Sequence, residues 1–244
     1  MNQDEYRKLA EDEDQMWYFR SLHAHVLREL AHLPPGTRVL DAGCGTGGLI
    51  LRLREARPDW VWSGIDFMPL ACELAQERCG PGVDIRCASV TELPFADESF
   101  DAVVSADVVC QIENPEVAAR EFFRVLKPGG IVVINVPAYM WMYSYHDENC
   151  HTKHRYTRPE LETLLRGGGF ADRKTTHWNA LPFPAMVAKR KIFTRPTDTS
   201  DVRVYPWAVE RGFDVLMGVE HAWRDLGGVW AWGTSVFGVA RKPE

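Results

Sequence analysis

Asp41, Gly43, Gly45, Gly47 and Gly48 crowd into one short stretch, LDAGCGTGG, near the start of the chain. Gly43 and Gly45 leave bare backbone against which the sugar of a ligand can lie. Gly47 and Gly48 can adopt turn conformations closed to most residues. Gly43, Gly45 and Gly48 also spell GxGxxG, the pattern of dinucleotide sites. Asp41 argues against that ligand. A dinucleotide sets a doubly negative pyrophosphate on the helix N-terminus, and a carboxylate two residues before the first glycine repels it. A ligand with a cationic amino-acid tail would instead be attracted. Asp66 closes the next apolar run, VWSGID, at the distance expected of an acid that grips ribose hydroxyls.

A second concentration of reactive side chains lies in AYMWMYSYHDENCHTKHRYT. It holds Tyr143, Tyr145, His146, His151 and His154. An imidazole or phenol there could take a proton from a substrate. Each histidine alone is read more simply as a surface or hydrogen-bonded loop residue. As a group they predict catalytic roles for His146, His151 and Tyr143, and substrate contacts for Tyr145 and His154. Their spacing with Cys150 or Asp147 matches no metal signature, so no metal is expected. Near the N-terminus, Trp17, Tyr18 and Phe19 are consecutive and cannot share one helix face. Trp17 and Tyr18 are therefore expected to line a substrate pocket, with Arg20 near the carboxylate of the bound ligand. The four tryptophans Trp207, Trp223, Trp230 and Trp232 read first as core.

The elements that must position these groups alternate. Residues 1–33 read as one helix, broken by Pro34-Pro35-Gly36. Strands are predicted at 38–41, 60–66, 83–87, 100–105 and 131–136, with helices from the glycine turn to about 56, at 69–78 and at 115–125. KPGG, residues 127–130, is a strong helix stop. This alternation predicts an α/β fold with a doubly wound, mostly parallel sheet. Residues 138–156 read as a loop, 158–166 as a helix, and 173–178 and 235–241 as the last two strands. The connection between those strands is too long for a hairpin. Helices at 181–193 and 206–223 would make it a cap.

At this point the chain resembles a known family. Asp41 to Gly47 is similar to motif I of the class I S-adenosylmethionine-dependent methyltransferases. ELPFADESFDAVVSADVV (92–109) and FFRVLKPGGIVVINVP (122–137) resemble later motifs of the same enzymes. MWYFRSLHAHVL, HDENCHTKHRYTRPEL and WGTSVFGVARKP are similar to a bacterial branch associated with glycolipid and natural-product chemistry. The resemblance implies a seven-stranded Rossmann-like sheet with S-adenosylmethionine as cofactor. It places Asp41, Gly43, Cys44, Gly45 and Gly47 in the cofactor loop, Asp66 on the ribose, and Phe67 and Met68 beside the adenine. Ser89 and Val90 stand where relatives carry an Asp for the adenine amino group, and Ala106 ends the fourth strand at the cofactor. Many relatives read Glu-His where this chain has Cys110-Gln111, so Gln111 is expected at the acceptor without a titratable imidazole.

The 244 residues, 45% hydrophobic, suit one domain. Its expected parts are a helical lid at 1–33, a cofactor core at 34–178, a cap at 179–230 and a last strand at 231–244. A net charge of −6 without a basic stripe disfavours nucleic acid. Six cysteines in no metal or disulfide pattern, a polar opening and no long apolar run predict free thiols, no leader, no membrane span and a cytoplasmic home. A homodimer fits this composition as well as a monomer does. The implied function is small-molecule methylation by in-line displacement. A non-catalytic S-adenosylmethionine-binding partner and an NAD-type dehydrogenase are the alternatives.

Overall fold

Apolar residues in β1 (Arg38–Ala42) and β4 (Phe100–Ala106) alternate between two hydrophobic clusters, one on each face of a sheet. Leu40 and Val103 point to one side, Val39 and Val104 to the other, as the two-residue strand period requires. Burial on both faces is the condition under which parallel strands persist. The computed structural model describes residues 3–192 and 203–244, apart from the side chains of 3–5.

Seven strands form one sheet in the order β3-β2-β1-β4-β5-β7-β6. β2 (Val61–Asp66), β3 (Asp84–Cys87), β1, β4 and β5 (Leu126–Pro137) run parallel. β7 (Ser235–Arg241) enters antiparallel between β5 and β6 (Ala171–Trp178). α5 (Pro115–Val125) and α7 (Arg158–Gly167) cover one face; α2 (Trp17–Leu30), α3 (Gly48–Ala56) and α4 (Pro69–Cys79) cover the other. From β1 the chain winds outward to β3, then restarts at β4 on the other side. The adjacent carboxyl ends of β1 and β4 are therefore a topological switch point, where such sheets bind ligands.

Three segments differ from expectation. The N-terminal stretch is not one helix. α1 (Gln3–Asp12) ends in a 3-10 turn at Glu13–Gln15, and Met16 is extended before α2 begins at Trp17. A continuous helix would put Glu13 and Trp17 on one face. The break lets Glu13 turn to the glycine loop while Trp17 stacks on Phe213 of α9 (Trp207–Asp225). KPGG does not follow α5 as a separate stop but lies within β5, where Leu126 pairs with Phe100 before the register slips to Ile131 opposite Ala102. The stretch 138–156 is not all loop. It holds a 3-10 turn at Met140–Met142 and α6 (Tyr145–Asn149), closed by a reciprocal capping box between Ser144 and Asp147. The connection before β7 carries α8 (Phe183–Lys191) and α9. Residues 193–202 of the expected cap, including the end of its first helix, lie outside the described residues.

The histidine-rich stretch is pinned by a buried ion pair. Arg155 donates to Asp147 at 2.7 Å and to the Ala138 carbonyl at 2.8 Å, and both charged side chains are almost fully enclosed. Removing one partner strands the other charge out of water. Asp147→Ala should therefore lower stability by about 3–5 kcal/mol, read as a fall in the urea unfolding midpoint. A parent-like midpoint would show that the pair does not hold the stretch.

Candidate active site at the switch point

The glycine turn is fastened to β2 before it meets any ligand. The Gly43 and Cys44 N–H groups donate to the Ile65 carbonyl at 2.9 and 2.7 Å. Gly43 has φ +102°, and a Cβ there would lie 2.1 Å from a methyl of Val108. Only hydrogen fits between the loop and the segment leaving β4. Asp66 is oriented by the loop it faces: its carboxylate accepts from the Gly45 N–H at 3.0 Å and from the Met68 N–H at 2.9 Å. Burial raises its pKa, and those amides oppose the rise.

Asp41 is the group with unmet chemistry. It is 2% exposed, and among the described residues none donates a hydrogen bond to its carboxylate. Burial, then the negative charges of Asp66 and Glu13, push its pKa up to about 8. A buried carboxylate without a cation is costly. A ligand ammonium delivered to this point would relieve it. The site therefore fits the amino-acid end of S-adenosylmethionine, with Asp66 free to accept further hydrogen bonds from a ribose.

The helix N-terminus that a pyrophosphate would need is already taken. Glu13 accepts from the Thr46 hydroxyl at 2.5 Å and pairs with Arg78, which also donates to the Thr46 carbonyl at 2.9 Å. A Cβ on Gly48 would meet the Glu13 carboxylate at 2.4 Å. The chain's own carboxylate thus sits where a dinucleotide places its phosphates.

On the β4 side, a second, half-buried acid lies at the switch point. Asp107 follows β4 with φ +58°, a left-handed conformation rare outside glycine and asparagine. Its carboxylate accepts from the Tyr18 hydroxyl at 2.8 Å and from the Asn135 side-chain amide at 2.9 Å. Trp178 donates to the other end of Asn135 at 2.7 Å and stacks on Tyr18. Burial pushes the Asp107 pKa up to about 6, against the lowering effect of the Tyr18 and Asn135 hydrogen bonds. Neither Asp107, Asn135 nor Glu13 stood out as a site residue in the sequence. The available signals were a polar residue directly after an apolar strand, and a lone Asn inside IVVINVP.

The residues expected at the cofactor fall around this point. Cys44 is buried, Gly47 caps α3, and Ala106 ends β4. Met68 caps α4, while Phe67 is 74% exposed beside it. Val90 is buried, and Ser89 bonds the Thr91 hydroxyl at 2.7 Å. Arg20, expected near a ligand carboxylate, pairs with Asp214 at 2.7 Å and Glu210 at 3.2 Å on α9. Those acids anchor its guanidinium to the cap. Trp17 is also corrected, since it is buried against Phe213 and acts as packing between α2 and α9. Tyr18 meets Asp107 instead. The exposed Gln111 folds back to donate to the Asp107 carbonyl at 2.9 Å.

The histidines do not form one cluster. His151 is exposed on a turn with φ +56°. His154 faces Glu160 at 3.4 Å and stands edge-on to Tyr156. His146 lies against Cys150, its ring nitrogens 3.8 and 3.9 Å from the sulfur. Each of the three imidazoles thus has its own surroundings. Tyr143 and Tyr145 flank α6, both partly exposed. Among the described residues no group of three His, Cys, Asp or Glu side chains could hold a metal, and no helix is long and apolar enough to cross a membrane. All six cysteines are free thiols.

Comparison with known proteins agrees with this geometry. A methyltransferase-domain family profile matches residues 40–134. A protein of Mycolicibacterium smegmatis, named a probable S-adenosylmethionine-dependent methyltransferase, is 34% identical over 65% of this chain and 60% of its own length. A ubiquinone/menaquinone biosynthesis C-methyltransferase of Geotalea daltonii is 32% identical over 47% of this chain and 51% of its own. The chain thus spans about half to three-fifths of these relatives. Among solved structures, a Thermotoga maritima methyltransferase described as a possible histamine N-methyltransferase superposes with a TM-score of 0.61 at 21% identity, covering 98% of this chain and 95% of that one. A Haemonchus contortus phosphoethanolamine N-methyltransferase holding S-adenosylmethionine gives 0.63 at 18% identity, over 91% of this chain and 52% of that one. Residues 40–134 thus carry a methyltransferase-domain match, and the seven-stranded order is that of the class I S-adenosylmethionine-dependent methyltransferase fold.

Proposed function

We propose that this chain transfers a methyl group from S-adenosylmethionine to a small-molecule acceptor held over the carboxyl ends of β1 and β4. The observation that carries this reading is Asp41, buried beside the glycine loop with no cation from the described residues. Asp41 would hold the cofactor's ammonium and Asp66 its ribose. The loop from Gly43 to Gly47 gives it backbone to lie on, and Phe67, Met68, Ser89 and Val90 border the base. The bound cofactor supplies an electrophilic methyl on a sulfonium. The residues of the chain then need to orient the acceptor, exclude water and receive its proton.

Asp107 suits the last task. It lies across the switch point from Asp41, on the segment that touches the glycine loop through Val108. Tyr18 and Asn135 hold its carboxylate in place. With Cys110-Gln111 in place of Glu-His, no imidazole from that position competes for the role. α1 closes the site from above: its Tyr6 is buried there, with a pKa pushed up first by burial and then by the Asp66 charge. We take α2 and α9 as the rest of the roof, with Tyr143, Tyr145 and His146 at its open side. The relatives' names include quinone, sterol and phosphoethanolamine methyltransferases. We therefore take the acceptor to be a small molecule whose attacking carbon, nitrogen or oxygen gives up a proton.

Calorimetry tests the cofactor half of the reading. S-adenosylhomocysteine should bind and NAD should not. Asp66→Ala should weaken S-adenosylhomocysteine by about 1.5–3 kcal/mol, the worth of hydrogen bonds to a charged group. Tight NAD binding, or an unchanged affinity in the folded variant, would refute it. Labelled-methyl transfer into a metabolite extract tests the catalytic half. The replacement of Glu-His by Cys110-Gln111 favours one second reading, a binder that does not catalyse. Cofactor binding with no labelled small molecule would select it.

A further inference from the structure

The face that α9 turns away from the sheet is mostly apolar, and the face it turns inward mixes Phe213 and Met217 with buried acids. Inward, Glu210 accepts from the Trp17 and Tyr205 backbone amides at 2.7 and 3.0 Å, Glu220 accepts from the Ala180 amide at 2.9 Å, and Arg224 pairs with Glu29. Outward lie Trp207, Val215, Leu216, Val219, Trp223 and, just past the helix, Leu226. Trp207 is 75% exposed, Val215 67% and Leu226 84%. The 100° turn per residue gathers Val215, Val219 and Leu226 along one line, with Leu216 and Trp223 beside it. Arg211 is the one charge near that line until Asp225 at the helix end, which is paired with Arg28 at 2.8 Å.

The charges around the stripe identify its occupant. Three cations gather at its N-terminal end. Arg203 and Lys189 lie over the Tyr205 ring at 4.9 and 5.9 Å, and Arg211 lies over Trp207 at 5.9 Å. Tryptophans stand near both ends of the stripe, and aromatic rings with basic neighbours are the composition of a helix that lies in a membrane interface. At 1.5 Å per residue α9 is about 28 Å long and would lie flat. A second copy of the chain fits less well. One helix face about 28 Å by 10 Å gives a footprint of roughly 280 Å², far below the about 800 Å² per partner of a stable pair.

We propose that the outer face of α9 docks on a membrane surface carrying anionic headgroups, with Val215, Val219 and Leu226 in the acyl boundary and Arg203 and Arg211 among the headgroups. This surface is separate from the switch-point site and does not depend on the reading of the acceptor. The full chain should co-sediment with vesicles of equimolar phosphatidylcholine and phosphatidylglycerol, and the binding should weaken as salt screens the cations. Val215→Asp/Val219→Asp should weaken it at least tenfold. Leu226→Asp, beyond the helix, should weaken it severalfold. Arg203→Glu/Arg211→Glu should remove the preference for phosphatidylglycerol over pure phosphatidylcholine vesicles. S-adenosylhomocysteine affinity should stay at the parent value in all three, which confirms the fold. A parent chain left in the supernatant with both vesicle types overturns the proposal. So does a dimer, seen by light scattering, that Val215→Asp/Val219→Asp turns into monomer without any change in vesicle binding.

Discussion

Asp41→Asn should abolish measurable S-adenosylhomocysteine binding and leave the unliganded protein more stable at pH 8 than the parent. The two effects share one cause. Asp41 is enclosed, no described residue neutralises it, and its folded pKa is raised from 3.8 to about 8 by burial, Asp66 and Glu13. Removing one partner of a buried charge pair typically costs about 2–5 kcal/mol, enough to take a micromolar ligand out of range. For stability the sign runs the other way. Between pH 4 and pH 8 the folded chain keeps a proton on Asp41 that the unfolded chain releases. The contribution of this group to stability is complete below pH 4 and falls as pH rises through 8, by at most about 1.4 kcal/mol per unit. Asparagine is neutral throughout and escapes that loss. Ligand binding reverses the slope, because an ammonium favours the ionised carboxylate. Parent affinity for S-adenosylhomocysteine should climb from pH 6 to pH 8. Calorimetry at the two pH values, with urea midpoints for both proteins, measures all three effects. A flat parent affinity, or an Asn variant that binds equally well, would remove Asp41 from the cofactor site.

Much of this was legible in LDAGCGTGG and VWSGID. Glycines that must approach a ligand and an acid that ends a strand are local features, and β1, the turn and β2 carry them in register. Strand limits came within a few residues for the same reason: apolar runs bounded by Gly and Pro are set locally. What escaped the sequence is what tertiary contact decides. Glu13 lay in a polar, acidic opening that reads as solvated surface. Only the kink at Met16 brings it to Thr46 and Arg78. Arg20 and Trp17 looked like ligand contacts because their partners, Asp214 and Phe213, are nearly two hundred positions away on a helix whose packing no local pattern encodes. The histidines looked like a cluster because they are close in sequence. In the fold they meet different neighbours, His146 the Cys150 sulfur and His154 the Glu160 carboxylate.

Asp107→Asn should lower turnover by about 10²–10⁴, the usual contribution of a positioned general base, and leave S-adenosylhomocysteine affinity within a few-fold of the parent. The measurement uses the acceptor identified by labelled-methyl transfer. Asparagine tolerates the left-handed backbone at this position and can still accept from Tyr18, so the fold should survive. The pH profile separates a chemical role from a structural one. The groups that face Asp107 are Tyr18 from α2, Asn135 from β5, Cys110 from its own loop and the more distant Arg155 charge. With a pKa near 6, Asp107 is ionised and able to take a proton above that value, so parent kcat/KM should fall as pH drops through about 6. Tyr18→Phe deletes a hydrogen bond that favours the ionised form, and burial is left with less opposition. The acid limb should then move to higher pH, with kcat above the limb less affected. Asp107→Asn should show no limb from this group. An acid limb that stays in place in Tyr18→Phe, together with parent-like turnover in Asp107→Asn, would mean that Asp107 only holds α2 onto the sheet. The acceptor would then reach the methyl group with its proton already lost.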